Sequence, residues 1–119
     1  MKKKAVIFDL NKTLRKGSGE PRHHLVKKAK KDAKKEEVIV MSGETDKDRS
    51  SARGWLDKEG LSDTKLMMRH KGDTLPDDVE KEHELTKDVS RQFKVTKAYD
   101  DKDKNVNMFK KHGIKAKKV

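Results

Sequence analysis

At 119 residues the chain is long enough for one modest hydrophobic core and too short for a second. It contains no cysteine, which excludes disulfides, a thiolate nucleophile and a zinc site of the usual thiolate kind. Charged residues make up 45% of it and the formal net charge is +11, so the lysines either create a field that draws polyanions, nucleic acid first, or coat the surface for solubility.

The apolar residues are clustered rather than scattered, which separates the chain from disordered sequences of similar composition. Ala5-Val6-Ile7-Phe8 reads as a short strand buried on both faces, and Asp9 follows at its carboxyl end. Gly17 and Gly19 mark a loop, after which Pro21 opens a helix with the apolar stripe Leu25, Val26, Ala29 and Ala33. Val38-Ile39-Val40-Met41 predicts a second buried strand that runs into Ser42-Gly43. A helix over 46–59 follows, capped by Thr45 or Asp46, burying Ala52, Trp55 and Leu56 and stopped by Gly60.

Residues 65–69 predict a third strand, with Met67 and Met68 in the sheet interior. Pro76 then opens a helix to about residue 93, with Val79, Leu85, Val89 and Phe93 in phase and Asp77 and Asp78 complementing the helix dipole. Residues 94–99 alternate as a strand and run into Asp100-Asp101. A short helix over 103–112 turns Val106 and Phe109 inward and ends at Gly113, before a last strand at 114–117.

Strands alternating with helices predict an α/β chain: a single Rossmann-like three-layer domain over 1–119, with a parallel five-stranded sheet in the order 3-2-1-4-5 and no cap domain. That order reverses between strands one and four. The reversal brings Asp9 beside Asp100 and Asp101 where ligands bind in open parallel sheets, with Ser42 on the other side.

Asp9-Leu10-Asn11-Lys12-Thr13-Leu14, Ser42-Gly43, Lys81 and Asp100-Asp101, in this order at strand ends, resemble the motifs of the haloacid dehalogenase superfamily of phosphotransferases and phosphatases. Lys71-Gly72-Asp73-Thr74, the run 77–82 and Tyr99-Asp100-Asp101 further resemble the 3'-phosphatase domain of phage polynucleotide kinases. The resemblance implies Asp9 as a nucleophile that forms an aspartyl phosphate. It implies Mg²⁺ held by Asp9, the Asn11 backbone carbonyl and Asp100 or Asp101, a hard cation suited to few carboxylates and several waters. Ser42, the Gly43 amide and Thr13 are implied to bind the phosphoryl group, and Lys81, oriented by Asp77 one helical turn before it, to balance the charge.

This sequence departs from that pattern where the superfamily's phosphatases carry a second acid, because Asn11 occupies the acid/base position. An amide neither protonates a leaving oxygen nor activates water, so a phosphatase of reduced activity is expected. Glu44, where a basic residue is expected after Ser42-Gly43, would repel phosphate. An open site without a cap suits a large substrate, which with the basic surface makes nucleic acid carrying 3'-phosphorylated ends the expected partner. The alternative is a catalytically silent or engineered relative that keeps the fold and binds nucleic acid through its lysines. No apolar run reaches signal-peptide or transmembrane length, so a cytoplasmic monomer without membrane contact is the default expectation. His23, His24, His70, His83 and His112 lack metal-site spacing and read as surface residues.

Overall fold

The apolar run before Asp9 forms strand β1 (Lys3–Asp9), and its side chains divide between two cores: Ala5 and Ile7 face one, Val6 and Phe8 the other. Period-two alternation with both faces apolar is what a central parallel strand requires. The computed structural model describes residues 2–119. After β1 come α1 (His23–Ala33), β2 (Glu37–Thr45), a 3-10 turn (Asp46–Asp48), α2 (Arg49–Lys58) and β3 (Thr64–Arg69). A continuous helical stretch follows as α3 (Asp77–Glu84), a π-helical turn (Leu85–Val89) and α4 (Ser90–Gln92), and the chain closes with β4 (Phe93–Asp100), α5 (Asp103–Lys111) and β5 (Lys115–Lys118).

All strand pairs are parallel and the sheet order is β3-β2-β1-β4-β5, the order expected from the sequence. Helices α1 and α2 cover one face, where Leu25, Val26, Ala29, Ala52 and Leu56 pack on Val6, Phe8, Val38 and Val40. The α3–α4 stretch and α5 cover the other, placing Leu85, Val89, Met108 and Phe109 against Ile7, Ile39, Met41 and Ala98. Phe8 also stacks on Tyr99 across β1 and β4, with ring centroids 4.8 Å apart. The connections β1–α1 and β3–α3 are loops without a covering domain. Among the described residues no helix is long and apolar enough to cross a membrane.

Several boundaries differ from the pattern expected, each for a local reason. Pro21 does not begin α1, because it forms a backbone bridge with Arg15, and the helix starts at His23. The stretch expected to be helical from residue 46 opens as a 3-10 turn, and neither Thr45 nor Asp48 makes a side-chain cap bond. Phe93 starts β4 instead of ending a helix. Trp55, Val79, Met67 and Phe93, expected inside, are half-buried; Trp55 Nε1 donates to the Gly19 carbonyl at 2.8 Å, which holds that ring at the surface. All five histidines are exposed, as expected.

Candidate active site

The sheet order reverses between β1 and β4, and the carboxyl ends of those strands deliver Asp9 and Asp100 side by side. Between them stands Lys81, the buried cation of α3, 1% exposed. Its Nζ donates to Asp9 Oδ1 at 2.8 Å and to Asp100 Oδ2 at 3.0 Å, and lies 3.6 Å from Asp77 Oδ2. Asp77 and Lys81 are one helical turn apart, so both face the strand ends. A lysine buried this deeply keeps its charge when carboxylates surround it.

The charges tune one another. Burial is the largest influence on Asp9 and pushes its carboxyl up to about 7; Lys81 opposes the shift, while Asp100 and Asp101 add to it. Burial works against the Lys81 ammonium, but Asp9, Asp100 and Asp77 outweigh it and hold the pKa above its ordinary value. Burial also works to raise Asp77, yet Lys81, the Asn105 amide, Lys102 and Arg69 bring it below the usual carboxylate range.

Asp9, Asp100 and Asp101 each offer an oxygen, and these atoms lie within 4.8 Å of one another. Hard oxygen donors at this spacing fit a metal ion that would offset their charge. Thr13 is fully buried and donates its hydroxyl to Asp9 Oδ2 at 3.1 Å, so it supports that carboxylate from behind. Ser42 is also buried, but its hydroxyl is turned to Glu44: it accepts from the Glu44 backbone N–H at 3.1 Å and lies 3.5 Å from Glu44 Oε1. The β2–β3 register shifts between Ser42 and Thr45, and such an irregularity re-aims the strand end beside the site.

A cleft of about 420 Å³ opens over these residues, lined by Asp9, Asn11, Lys12, Gly43, Glu44, Arg69, Asp77, Asp101 and Lys102 among others. Two hollows of larger volume, about 690 and 830 Å³, lie elsewhere and lack the carboxylate–ammonium cluster, so the chemistry singles out the smaller one.

Three residues that sequence reasoning did not single out complete the site. Asn105 of α5, 1% exposed, donates from Nδ2 to Asp77 Oδ2 at 2.8 Å and to Asp100 Oδ2 at 3.1 Å, tying α3 to β4. Arg69 ends β3, donates to the Gly43 carbonyl at 3.2 Å and to the Leu75 carbonyl, and lies 3.6 Å from Asp77. Arg15 donates to Asn11 Oδ1 at 2.8 Å and pairs with Glu44 Oε1 at 3.0 Å. The expected repulsion by Glu44 is therefore offset by a cation from the preceding loop.

Comparison with known proteins follows the same lines as the geometry. The family model described as polynucleotide kinase PNKP phosphatase domain matches residues 2–119. No curated protein matches the chain significantly. A solved structure of a Pnkp1/Rnl/Hen1 complex contains a chain of the same fold, with a TM-score of 0.87 at 22% identity, over 99% of this chain and 46% of that one. The structure of the Pnkp1/Rnl/Hen1 RNA repair complex gives a TM-score of 0.89 at 22% identity over 98% and 42%. This chain thus spans less than half the length of those two. The NMR core domain of a candidate phosphoglycolate phosphatase from Streptococcus pneumoniae TIGR4 shares the fold more distantly, with a TM-score of 0.59 at 17% identity, over 98% of this chain and 79% of that one. With a family match along nearly its whole length and a Rossmann-like sheet in the order 3-2-1-4-5, the chain belongs to the haloacid dehalogenase-like phosphatases, in the PNKP phosphatase domain family.

Proposed function

We propose that residues 1–119 act as one Mg²⁺-dependent phosphatase domain that works through an aspartyl phosphate on Asp9, prefers polynucleotide 3'-phosphoryl ends and turns over slowly because of Asn11. The observation that carries this reading is Lys81 placed between Asp9 and Asp100 at the sheet's switch point, with Asp101 completing a metal-capable triad. An Asp9 oxygen attacks phosphorus while Lys81 favours the ionised carboxylate against burial and offsets the charge of the phosphoryl oxygens. Mg²⁺, when held by Asp9, the Asn11 carbonyl, Asp100 and Asp101, supplies further charge neutralisation. Asp77 orients Lys81, Asn105 holds both Asp77 and Asp100, and the Gly43 amide at the cleft rim offers a donor to the phosphoryl group. Ser42 and Thr13 shape the site from behind, Thr13 through its bond to Asp9.

The cleft is open and carries Lys12 and Lys102 on its lining, which suits an end of nucleic acid held by its backbone phosphates. One of the similar structures is that of a Pnkp1/Rnl/Hen1 RNA repair complex, a setting consistent with this substrate class. A cytoplasmic monomer accords with the basic surface. The second reading, a catalytically silent or engineered relative that binds nucleic acid through its lysines, is favoured by the pairing of Arg15 with both Asn11 and Glu44.

The deciding experiment measures phosphate release with Mg²⁺ from a 3'-phosphorylated oligonucleotide and from an activated aryl phosphate. Asn11→Asp is expected to raise turnover of the oligonucleotide by about 10² to 10⁴-fold, the usual contribution of a general acid–base group. Asp9→Asn is expected to abolish release from both. Unchanged activity in Asp9→Asn would remove Asp9 as the nucleophile, and inactivity of both the native chain and Asn11→Asp would favour the binding reading.

A further inference from the structure

Arg15 lies in the loop after β1 and is held by three parts of the fold. Its Nε donates to Asn11 Oδ1 at 2.8 Å, its Nη2 reaches Glu44 Oε1 at 3.0 Å, and its guanidinium carbon lies 5.4 Å from the centroid of the Trp55 ring. The side chain is 14% exposed. A guanidinium carries donors and no acceptor, so the oxygen of the Asn11 amide must face it and the amide nitrogen must take the other side. Asn11 lines the cleft together with Asp9, and it brings there no group able to accept a proton. Glu44, a carboxylate at the same rim, is committed to Arg15 and to the Ser42 hydroxyl. Asp77 and Asp100 are engaged by Lys81 and Asn105.

The two halves of a phosphoryl transfer feel this differently. In the first half an Asp9 oxygen forms a bond to phosphorus while the bond from phosphorus to the leaving oxygen breaks, and the electron pair departs on that oxygen. An acyl phosphate releases a carboxylate, which needs no proton. In the second half water must give up a proton as its oxygen attacks phosphorus and the Asp9 carboxylate departs, and that proton needs a base.

We propose that Arg15 is a positioning residue that makes Asp9 a phosphoryl-retaining acceptor, filled by acyl phosphates and emptied slowly, because it pins the Asn11 amide and occupies Glu44. The inference rests on Asp9 being the nucleophile.

The test incubates the full chain with acetyl phosphate and Mg²⁺, removes the donor and follows the adduct by intact-mass spectrometry. The native chain gains one phosphoryl group that hydroxylamine removes and that Asp9→Asn does not acquire. Its half-life exceeds that of the Asn11→Asp adduct by about 100-fold, the order expected for a missing general base. Arg15→Met frees Glu44 to act as a base, so the adduct, once formed, decays about tenfold faster, and adding Glu44→Gln restores the long lifetime. If melting curves show Arg15→Met unfolded, Arg15→Lys replaces it, since one ammonium cannot hold Asn11 and Glu44 in the geometry of the guanidinium fork. Equal lifetimes in the native and Asn11→Asp chains, native lifetimes in the folded Arg15 variants, or an adduct in Asn11→Asp alone overturn the inference and leave Asp9 as nucleophile. No adduct and no turnover in either the native or the Asn11→Asp chain overturns both.

Discussion

Gly43 and Asp77 meet where a side chain on the glycine has no room: a Cβ there would collide with Asp77 Oδ1. The end of β2 and the first turn of α3 are thereby set against each other, and the aim of Lys81 depends on the contact. Gly43→Ala is expected to keep the fold and to lower turnover of an aryl phosphate by about 10²-fold, the effect of misplacing a reacting group by about 1 Å. Native turnover in a folded Gly43→Ala chain would show that Asp77 does not set Lys81.

Lys81→Met leaves Asp9, Asp100 and Asp77 facing one another without their shared cation. Removing one partner of a buried ion cluster costs about 3–5 kcal/mol, so urea unfolding of the metal-free chain should shift to much lower midpoints, with part of the loss recovered by Mg²⁺. Asp9→Asn should behave oppositely. It removes a carboxyl pushed up to about 7 and leaves Lys81 its contacts with Asp100 and Asp77, so metal-free stability at pH 8 should hold or rise. Equal losses in the two variants would contradict the crowding of these carboxylates.

Glu84 contributes to the pH dependence of metal-free stability. Burial, then the charge of neighbouring Glu80, push its carboxyl up to about 8 from the ordinary 4.5, against the pull of Lys81 and with a smaller push from Asp77. One of its buried oxygens has no hydrogen-bond partner. Between those two values the folded chain binds more protons than the unfolded one, so stability falls as pH rises through the window, with the loss complete above about 8. Glu84→Gln should flatten the profile most visibly between pH 7 and 8, where Asp9 has largely ionised. An unchanged slope there, followed by denaturant unfolding, would remove Glu84 from the account.

Lys12 has a φ of 64°, in the left-handed region that favours glycine, and its side chain lines the cleft. Lys12→Gly should relieve about 1–2 kcal/mol of backbone strain. It should also weaken binding of a 3'-phosphorylated oligonucleotide and reduce the slope of log affinity against log salt by about 0.7, one phosphate contact for a single strand. Stability and affinity would move in opposite directions, and an unaltered salt slope would place the lysine away from the nucleic acid.

Much of the fold was legible because apolar runs of strand length alternate with helical stripes, and parallel connectivity then leaves few sheet orders. Asp9 and Asp100-Asp101 stood out as carboxylates ending such runs, and the reversal of strand order accounts for their meeting. Asn105 left a fainter trace, a polar residue in helical phase with the buried Met108 and Phe109 of α5. Arg15 left none, since its partner Glu44 lies on another strand and only the closed fold brings them together. Trp55 was read as interior from its place on α2; its indole N–H found the Gly19 carbonyl and its face found Arg15, which made it half a surface residue.

The π-helical turn at Leu85–Val89 constrains which lengths of chain this domain tolerates. Lys81, Leu85 and Val89 are buried at intervals of four, a spacing that drifts around an ordinary helix of 3.6 residues per turn, and the wider turn takes the drift back. The same helical stretch can therefore aim a cation at the strand ends and apolar residues at the sheet. Deleting a single residue from 85–89 would close the turn to ordinary helix and keep Lys81 in phase, because the wider turn holds about one residue more than an α-helical one, whereas deleting two would rotate Lys81 relative to the packed half by about 100°, the step of one residue in a helix. Related chains are thus expected to vary in length within surface loops such as 16–20 and to differ by at most one residue in the count from Lys81 to β4.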